Sequence, residues 1–104
     1  MSRTKTLDVL KGFFVYVLFS IKDKKFYVGF THNLDQRLKE HFSGNVDSTR
    51  SRRPFQLIHY EYFVSENDAR RREVYLKGGN GKSALKIQLK EMLRELRKEN
   101  PVGV

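Results

Sequence analysis

The chain of 104 residues is 38% hydrophobic and 12% aromatic, which suits one modest hydrophobic core and excludes two domains of ordinary size. Its 21 Lys and Arg outnumber its 12 Asp and Glu, and the formal net charge of +9 favours a polyanionic partner such as nucleic acid. The lack of cysteine excludes a disulfide framework, and the first eleven residues lack a continuous hydrophobic stretch, so we expect a cytoplasmic chain with no membrane span.

The first third of the chain predicts a β-hairpin. Residues 13–19 are all apolar or Tyr, which is typical of a central strand covered on both faces. A polar turn separates them from residues 26–31, which we expect to form the second, antiparallel strand. In this second strand Tyr27, Gly29 and Thr31 share one face.

A short helix and a basic loop are expected next. Asn33 is a candidate N-cap for a helix that extends to about Phe42, and residues 43–54 predict a loop rich in Arg, Ser and Gly. The apolar row of the helix consists of Leu34, Leu38 and Phe42, and a neighbouring polar row consists of Asn33, Arg37 and His41. Residues 55–63 predict a third strand.

Two helices are expected in the remainder of the chain. Ser65 resembles the cap of a helix that extends to about Lys77 and is stopped by Gly78 and Gly79, and Asn80 is assigned to a turn. A third helix is expected from Ser83 to about residue 99. A basic row in this region, typical of a solvated helix surface, consists of Lys82, Lys86, Lys90, Arg94 and Lys98.

These elements predict an α+β fold in which a small three-stranded antiparallel sheet is flanked by helices, in the order β-β-α-β-α-α. We expect a single domain over residues 1–104, with a core at about 13–98 and flexible ends at 1–11 and 100–104. The three histidines lack the paired spacing and the cysteine partners of a structural zinc site.

An ordered set of residues resembles a known family. Phe14-Val15-Tyr16 is separated by ten residues from Tyr27-Val28-Gly29, and further matching positions follow in register. These positions are Thr31, Arg37, His41, Gly44, Thr49, Pro54 and Glu73. The set resembles the GIY-YIG nucleases of the small single-domain type, similar to the N-terminal nuclease domain of the bacterial excision-repair nuclease subunit. Phe14 departs from the pattern, because the family name has Gly there.

The resemblance implies a metal-dependent endonuclease that hydrolyses DNA phosphodiester bonds, with Mg²⁺ or Mn²⁺ as its cofactor and no small-molecule cofactor. It implies that Glu73 holds the metal and that Arg37 grips the phosphate. Tyr16 becomes the candidate general base, helped by His41, and Tyr27 positions the phosphate. Judged by sequence chemistry alone, Glu73 is more often an exposed helix residue that pairs with Arg70 or Lys77, and the tyrosines are more often core residues.

Basic and polar residues around this centre are candidates for nucleic-acid binding. They are Thr31, Arg50, Arg52, Arg53, Arg70 and Lys77. DNA is the expected partner and RNA an alternative one, in a repair or recombination role with low sequence selectivity, and an accessory protein would supply targeting. The competing interpretation is a basic nucleic-acid-binding module that has the nuclease fold but little or no cleavage activity.

Overall fold

The structure is a computed structural model that describes residues 12–99. The flexibility predicted for residues 1–11 and 100–104 lies outside the described residues. The strands are β1 (Phe13–Ser20), β2 (Phe26–Thr31) and β3 (Phe55–Phe63). The helices are α1 (Leu34–Ser43), α2 (Asp47–Arg50), α3 (Glu66–Lys77), α4 (Gly79–Gln88) and α5 (Lys90–Glu99). The α+β class is therefore confirmed.

The three strands form one antiparallel sheet in the order β2-β1-β3. The apolar run of β1 predicted a central strand, and residues 15–18 in its middle are indeed buried on both faces. Tyr16 is opposite Gly29 of β2 and also opposite Tyr60 of β3. Because paired residues of antiparallel strands point to the same face, Tyr16 and Tyr60 share one face of the sheet.

The other face of the sheet carries the hydrophobic core. Alternate residues of β1 and β2 point towards α3 and α4, and the buried cluster consists of Val15, Val17, Val28, Ala69, Leu76 and Leu85. Aromatic side chains at its edge, including Phe30 and Phe63, pack against this cluster. The sheet thus has one face that packs against α3 and α4 and a second face that carries Tyr16 and Tyr60.

The basic loop predicted at residues 43–54 contains a helical turn, α2. Gly44 ends α1 with a φ of 85°, a left-handed conformation that glycine adopts at little cost. The chain then turns back, and α2 places Thr49 in the interior of the molecule. Four residues without hydrophobic periodicity gave no signal for this turn, because it is stabilised by contacts with α1.

The single helix predicted from Ser83 is instead two helices, and this prediction was wrong. Gly78 ends α3 in an extended conformation and α4 begins at the next residue, so Asn80 lies in a helix and not in a turn. A Cβ on Gly81 would lie 2.0 Å from the carbonyl oxygen of Tyr75, so glycine is required where α4 crosses the last turn of α3. Leu89 then leaves the helical conformation (φ −106°, ψ 24°) and separates α4 from α5.

The predicted apolar row of α1 is also corrected. Phe42 is 45% exposed, whereas His41 from the predicted polar row is the buried residue of this helix. The helix is therefore rotated so that its imidazole, and not its phenyl ring, points into the molecule. A polar group is buried without penalty only when it is hydrogen-bonded, and His41 has two such partners.

Candidate active site

Tyr16 stands at the centre of the site, and the sheet leaves space for it. Its side chain is 1% exposed and lies directly over Gly29 of the neighbouring strand. A Cβ on Gly29 would lie 2.3 Å from both Cζ and the hydroxyl oxygen of Tyr16. Glycine is thus required at this position so that the Tyr16 ring can lie flat against the sheet.

His41 of α1 covers the Tyr16 hydroxyl. The Tyr16 oxygen and Nε2 of His41 are 2.7 Å apart, and Nδ1 of His41 is 2.9 Å from Oγ1 of Thr49. The Thr49 hydroxyl donates to the carbonyl of Val46, which leaves its oxygen lone pair to accept from Nδ1–H. This arrangement assigns the proton of a neutral imidazole to Nδ1, so Nε2 accepts the hydrogen bond that Tyr16 donates.

The pKa values of this pair keep both groups neutral. Burial lowers the pKa of His41 to about 4, and the positive charge of Arg37 contributes in the same direction. Burial also raises the pKa of Tyr16 to about 12, while a hydrogen bond from Arg37 opposes this increase. The negative charge of Glu73 also raises the pKa of Tyr16. Two residues of the family-like pattern, Arg37 and Glu73, therefore influence the pKa of Tyr16.

Aromatic contacts bring the second tyrosine into the same cluster. The Tyr27 ring is 5.1 Å from the His41 ring and 6.4 Å from the Tyr16 ring, measured between centroids. Tyr16 and His41 meet edge to face at 5.5 Å. Two phenol groups and one imidazole are therefore gathered on the open face of the sheet, at the join between β1, β2 and α1.

Arg37 lies one turn before His41 on α1 and holds the positive charge of the site. Its guanidinium donates to a carboxylate oxygen of Glu40 at 2.9 Å and interacts with the Tyr16 hydroxyl. Both contacts raise the pKa of Arg37, the one with Glu40 more strongly. The ion pair with Glu40 is partly exposed, so a phosphate could replace Glu40 as the partner of Arg37.

Glu73 of α3 supplies the carboxylate expected to hold a metal ion. Its side chain is only 15% exposed, and it forms an ion pair of 2.9 Å with Lys77. Within residues 12–99 no group of three His, Asp or Glu side chains is arranged to hold a metal. A single carboxylate fits a hard cation such as Mg²⁺, which keeps several water ligands and takes others from a substrate phosphate. The residues present therefore fit the implied group.

The basic residues predicted to bind nucleic acid lie in different surroundings. Arg50 and Arg53 line an open pocket of about 460 Å³ behind α1, beside the exposed ring of Phe42. The guanidinium of Arg52 instead forms two hydrogen bonds, of 2.6 and 3.3 Å, with the carboxylate of Asp23 and so ties the hairpin turn to the segment before β3. Its role in nucleic-acid binding stays a prediction, as do those of the two pocket arginines.

The other three residues predicted to bind nucleic acid also form contacts within the protein. Thr31 forms a local turn, in which its hydroxyl accepts from the backbone N–H of Asn33 at 3.1 Å. Arg70 lies 3.9 Å above the ring of Phe30 and pairs with Glu66 on the exposed face of α3. Lys77 pairs with Glu73, which places a positive charge beside the proposed metal ligand.

The structure gives Thr49 and Glu40 contacts with site residues that the sequence did not predict. Thr49 belongs to the family-like pattern, but its contact with His41 depends on α2, which was predicted as loop. Glu40 lies three residues after Arg37 on one helix, a spacing that signals a side-chain contact. That spacing could have identified Glu40, whereas no local signal could have identified the position of Thr49.

Comparisons with known proteins identify the family of this chain. The model of the family described as the GIY-YIG catalytic domain matches residues 12–86, and the chain therefore belongs to the GIY-YIG family. The chain is 32% identical to the UPF0213 protein CPE1444 of Clostridium perfringens over 88% of this chain and 98% of that protein. It is 42% identical to a UPF0213 protein of Pediococcus acidilactici over 72% of this chain and 79% of the relative.

A solved structure is similar as well. The solution NMR structure of the UPF0213 protein BH0048 from Bacillus halodurans is 36% identical in sequence, covers 71% of this chain and 81% of its own, and has a TM-score of 0.46.

In the part of the chain that the structure describes, no helix has both the length and the apolar character that crossing a membrane requires.

Proposed function

We propose that this protein is a metal-dependent endonuclease that hydrolyses phosphodiester bonds of DNA. The single observation that carries the proposal is the buried hydrogen bond of 2.7 Å between Tyr16 and His41, with Arg37 and Glu73 in electrostatic reach of the same phenol. A structural tyrosine needs one hydrogen-bond partner. It does not need both a histidine and an arginine at one hydroxyl group.

Each residue then has a distinct task. Arg37 binds the scissile phosphate through its planar guanidinium and stabilises the negative charge that grows on the phosphate oxygens. Tyr27, on the open side of the cluster, positions that phosphate. Glu73 would hold Mg²⁺ or Mn²⁺, which supplies positive charge next to the phosphate when bound.

Tyr16 and His41 handle the proton of the attacking water. Hydrolysis joins the water oxygen to phosphorus and breaks one P–O bond, whose leaving oxygen takes a proton from solvent. The Tyr16 oxygen takes the proton of the attacking water once its own proton has passed to Nε2 of His41. With a pKa of about 12, Tyr16 is too weak an acid to ionise by itself at neutral pH. That value already includes the lowering by Arg37, so a bound cation would have to lower the pKa of Tyr16 further before this residue could act as a base.

The raised pKa of Tyr16 also gives specific support to the competing function. If no charge at the site lowers it, the protein is a basic nucleic-acid-binding module with the nuclease fold and no cleavage activity. Its formal net charge of +9 is sufficient for that role.

The test separates cleavage from binding. Purified protein is incubated with labelled duplex, single-stranded and branched DNA, and with RNA, in Mg²⁺, Mn²⁺ or chelator. We expect metal-dependent cleavage, and we expect Arg37→Ala to reduce the single-turnover rate by about 10²–10³-fold while sparing most of the affinity. Salt-sensitive binding without cleavage in either metal would establish the binding module instead. Equal loss of binding and cleavage in Arg37→Ala would contradict its assigned role.

A further inference from the structure

An aromatic surface extends the site on the open face of the sheet. Phe14 of β1 and Tyr62 of β3 are paired residues whose rings meet edge to face at 5.3 Å. Phe14 also contacts Tyr60, with a centroid distance of 6.1 Å. These three residues, Phe14, Tyr60 and Tyr62, form what we call the aromatic platform.

The aromatic platform is continuous with the catalytic cluster. Tyr60 is the residue paired with Tyr16 across the β1–β3 ladder, so both side chains project from the same face at neighbouring positions. Phe14 lies two residues before Tyr16 and therefore also shares its face. A nucleic-acid strand whose phosphate is bound by Arg37, beside Tyr16, passes close to the platform.

The platform is not needed to complete the hydrophobic core. Tyr60 is 53% exposed on β3, an edge strand of the sheet. The hydroxyl of Tyr62 is buried without a hydrogen-bond partner among the described residues. The exposed ring of Tyr60 is therefore open to contact by a ligand, whereas the Tyr62 hydroxyl is enclosed against Gly12.

Charge and composition indicate what that ligand is. The chain carries a formal net charge of +9. Glu61 lies between Tyr60 and Tyr62 on β3, but its carboxylate points to the opposite face of the sheet and pairs with Arg72, so it does not repel a polyanion at the platform. Aromatic side chains beside a cationic centre are the means by which proteins bind unpaired nucleotides, since every base has a face that can stack. A paired base inside a duplex offers no such face.

We infer that the aromatic platform stacks an unpaired nucleobase next to the scissile phosphate, so that the protein prefers single-stranded or branched nucleic acid to continuous duplex. Phe14 stands where the family name has glycine and adds a ring to this surface. The inference rests on the proposed function for the position of the phosphate, but its binding step is measurable without cleavage.

The experiment measures binding in chelator, so that catalysis plays no part. Fluorescence anisotropy with labelled single-stranded and duplex oligonucleotides is recorded for wild type, Tyr60→Leu and Tyr60→Phe. Leu keeps an apolar side chain but removes the ring, whereas Phe keeps the ring. Tyr75→Leu is the matched control, because Tyr75 is 45% exposed on α3, away from the platform.

We expect Tyr60→Leu to weaken single-strand binding by about 5- to 100-fold and to leave duplex binding within about 2-fold. Tyr60→Phe and Tyr75→Leu should both bind like wild type, and 2-aminopurine in the single strand should be quenched by wild type but not by Tyr60→Leu. Unchanged single-strand affinity in Tyr60→Leu would overturn the inference, as would equal losses for single strand and duplex. An occupant of another class, a protein segment or a second copy of the chain, would give the first of these results.

The outcome is distinguishable from failure of the proposed function. If Tyr60→Leu loses single-strand binding while wild type cleaves nothing, the platform is established and the nuclease proposal fails. If wild type cleaves duplex and single strand equally and Tyr60→Leu is unaffected, the nuclease proposal stands and the platform inference fails.

Discussion

The geometry of the site predicts that replacing Gly29 by alanine destabilises the folded protein. The added Cβ would lie 2.3 Å from Cζ and from the hydroxyl oxygen of Tyr16, a distance that real contacts do not reach. The Tyr16 ring cannot move freely, because it is 1% exposed and its hydroxyl is bound to His41 at 2.7 Å. Alanine at residue 29 must therefore displace the ring and break that hydrogen bond.

The expected cost has two parts. Forcing an extra carbon into a packed interior costs about 1–3 kcal/mol. Leaving the buried Tyr16–His41 hydrogen bond unmade costs about 1–3 kcal/mol more. Gly29→Ala should therefore lower the free energy of unfolding by about 2–6 kcal/mol. In a domain of this size each 1 kcal/mol lowers the melting temperature by roughly 4–8 °C.

The assay is urea unfolding followed by circular dichroism, with thermal melting in parallel. Gly79→Ala is the matched control, since a Cβ on Gly79 meets nothing within 4 Å and the residue begins a helix. The control should be neutral or stabilising by up to about 1 kcal/mol. If Gly29→Ala were as stable as Gly79→Ala, the position assigned to the Tyr16 ring would be wrong.

Three further predictions follow from named contacts. Because the pKa of His41 is lowered from 6.5 to about 4, the folded state binds fewer protons than the unfolded state between these values, so stability should fall by up to about 3 kcal/mol as the pH drops from 6.5 to 4. His41→Gln should remove this slope in urea titrations, and an unchanged slope would contradict the assignment. Arg52→Ala should cost about 1–3 kcal/mol in unfolding experiments, because it releases Asp23, whose pKa Arg52 lowers to about 2, whereas the exposed Arg71→Ala should cost less than about 0.5 kcal/mol. Equal costs for the two arginines would refute the structural role of Arg52. Thr49→Val should remove the acceptor of the His41 Nδ1 proton, so that imidazole ¹⁵N NMR shifts report a mixture of tautomers, and Thr49→Ser should restore the wild-type spectrum. Identical shifts in wild type and Thr49→Val would show that Thr49 does not fix the tautomer.

Elements with a strong local signal were predicted correctly from the sequence. The apolar run of β1 indicated a central strand, and the caps at Asn33 and Ser65 begin helices as expected, each accepting from a backbone N–H three residues on. Hydrophobic periodicity and capping chemistry depend on neighbouring residues, so they are visible in the sequence.

Features that depend on tertiary contacts were not predicted from the sequence. The break at Leu89 carries no glycine or proline, and α2 has no periodicity. The candidate site was predicted from a family-like pattern and not from geometry: Tyr16 and His41 are 25 residues apart in sequence, and only the fold brings them to 2.7 Å. That His41 is buried, and that Thr49 orients it, followed from the position of α1 on the sheet.

The central claim, that this cluster cleaves phosphodiester bonds with Glu73 as its metal ligand, is tested most directly by one comparison. Single-turnover cleavage of labelled DNA in Mg²⁺ is measured for wild type and for Glu73→Gln, which keeps the size of the side chain but removes its charge. We predict metal-dependent cleavage by wild type and a loss of at least about 10²-fold in Glu73→Gln, with binding retained in chelator. Equal rates in both proteins, or no cleavage by wild type, would contradict it.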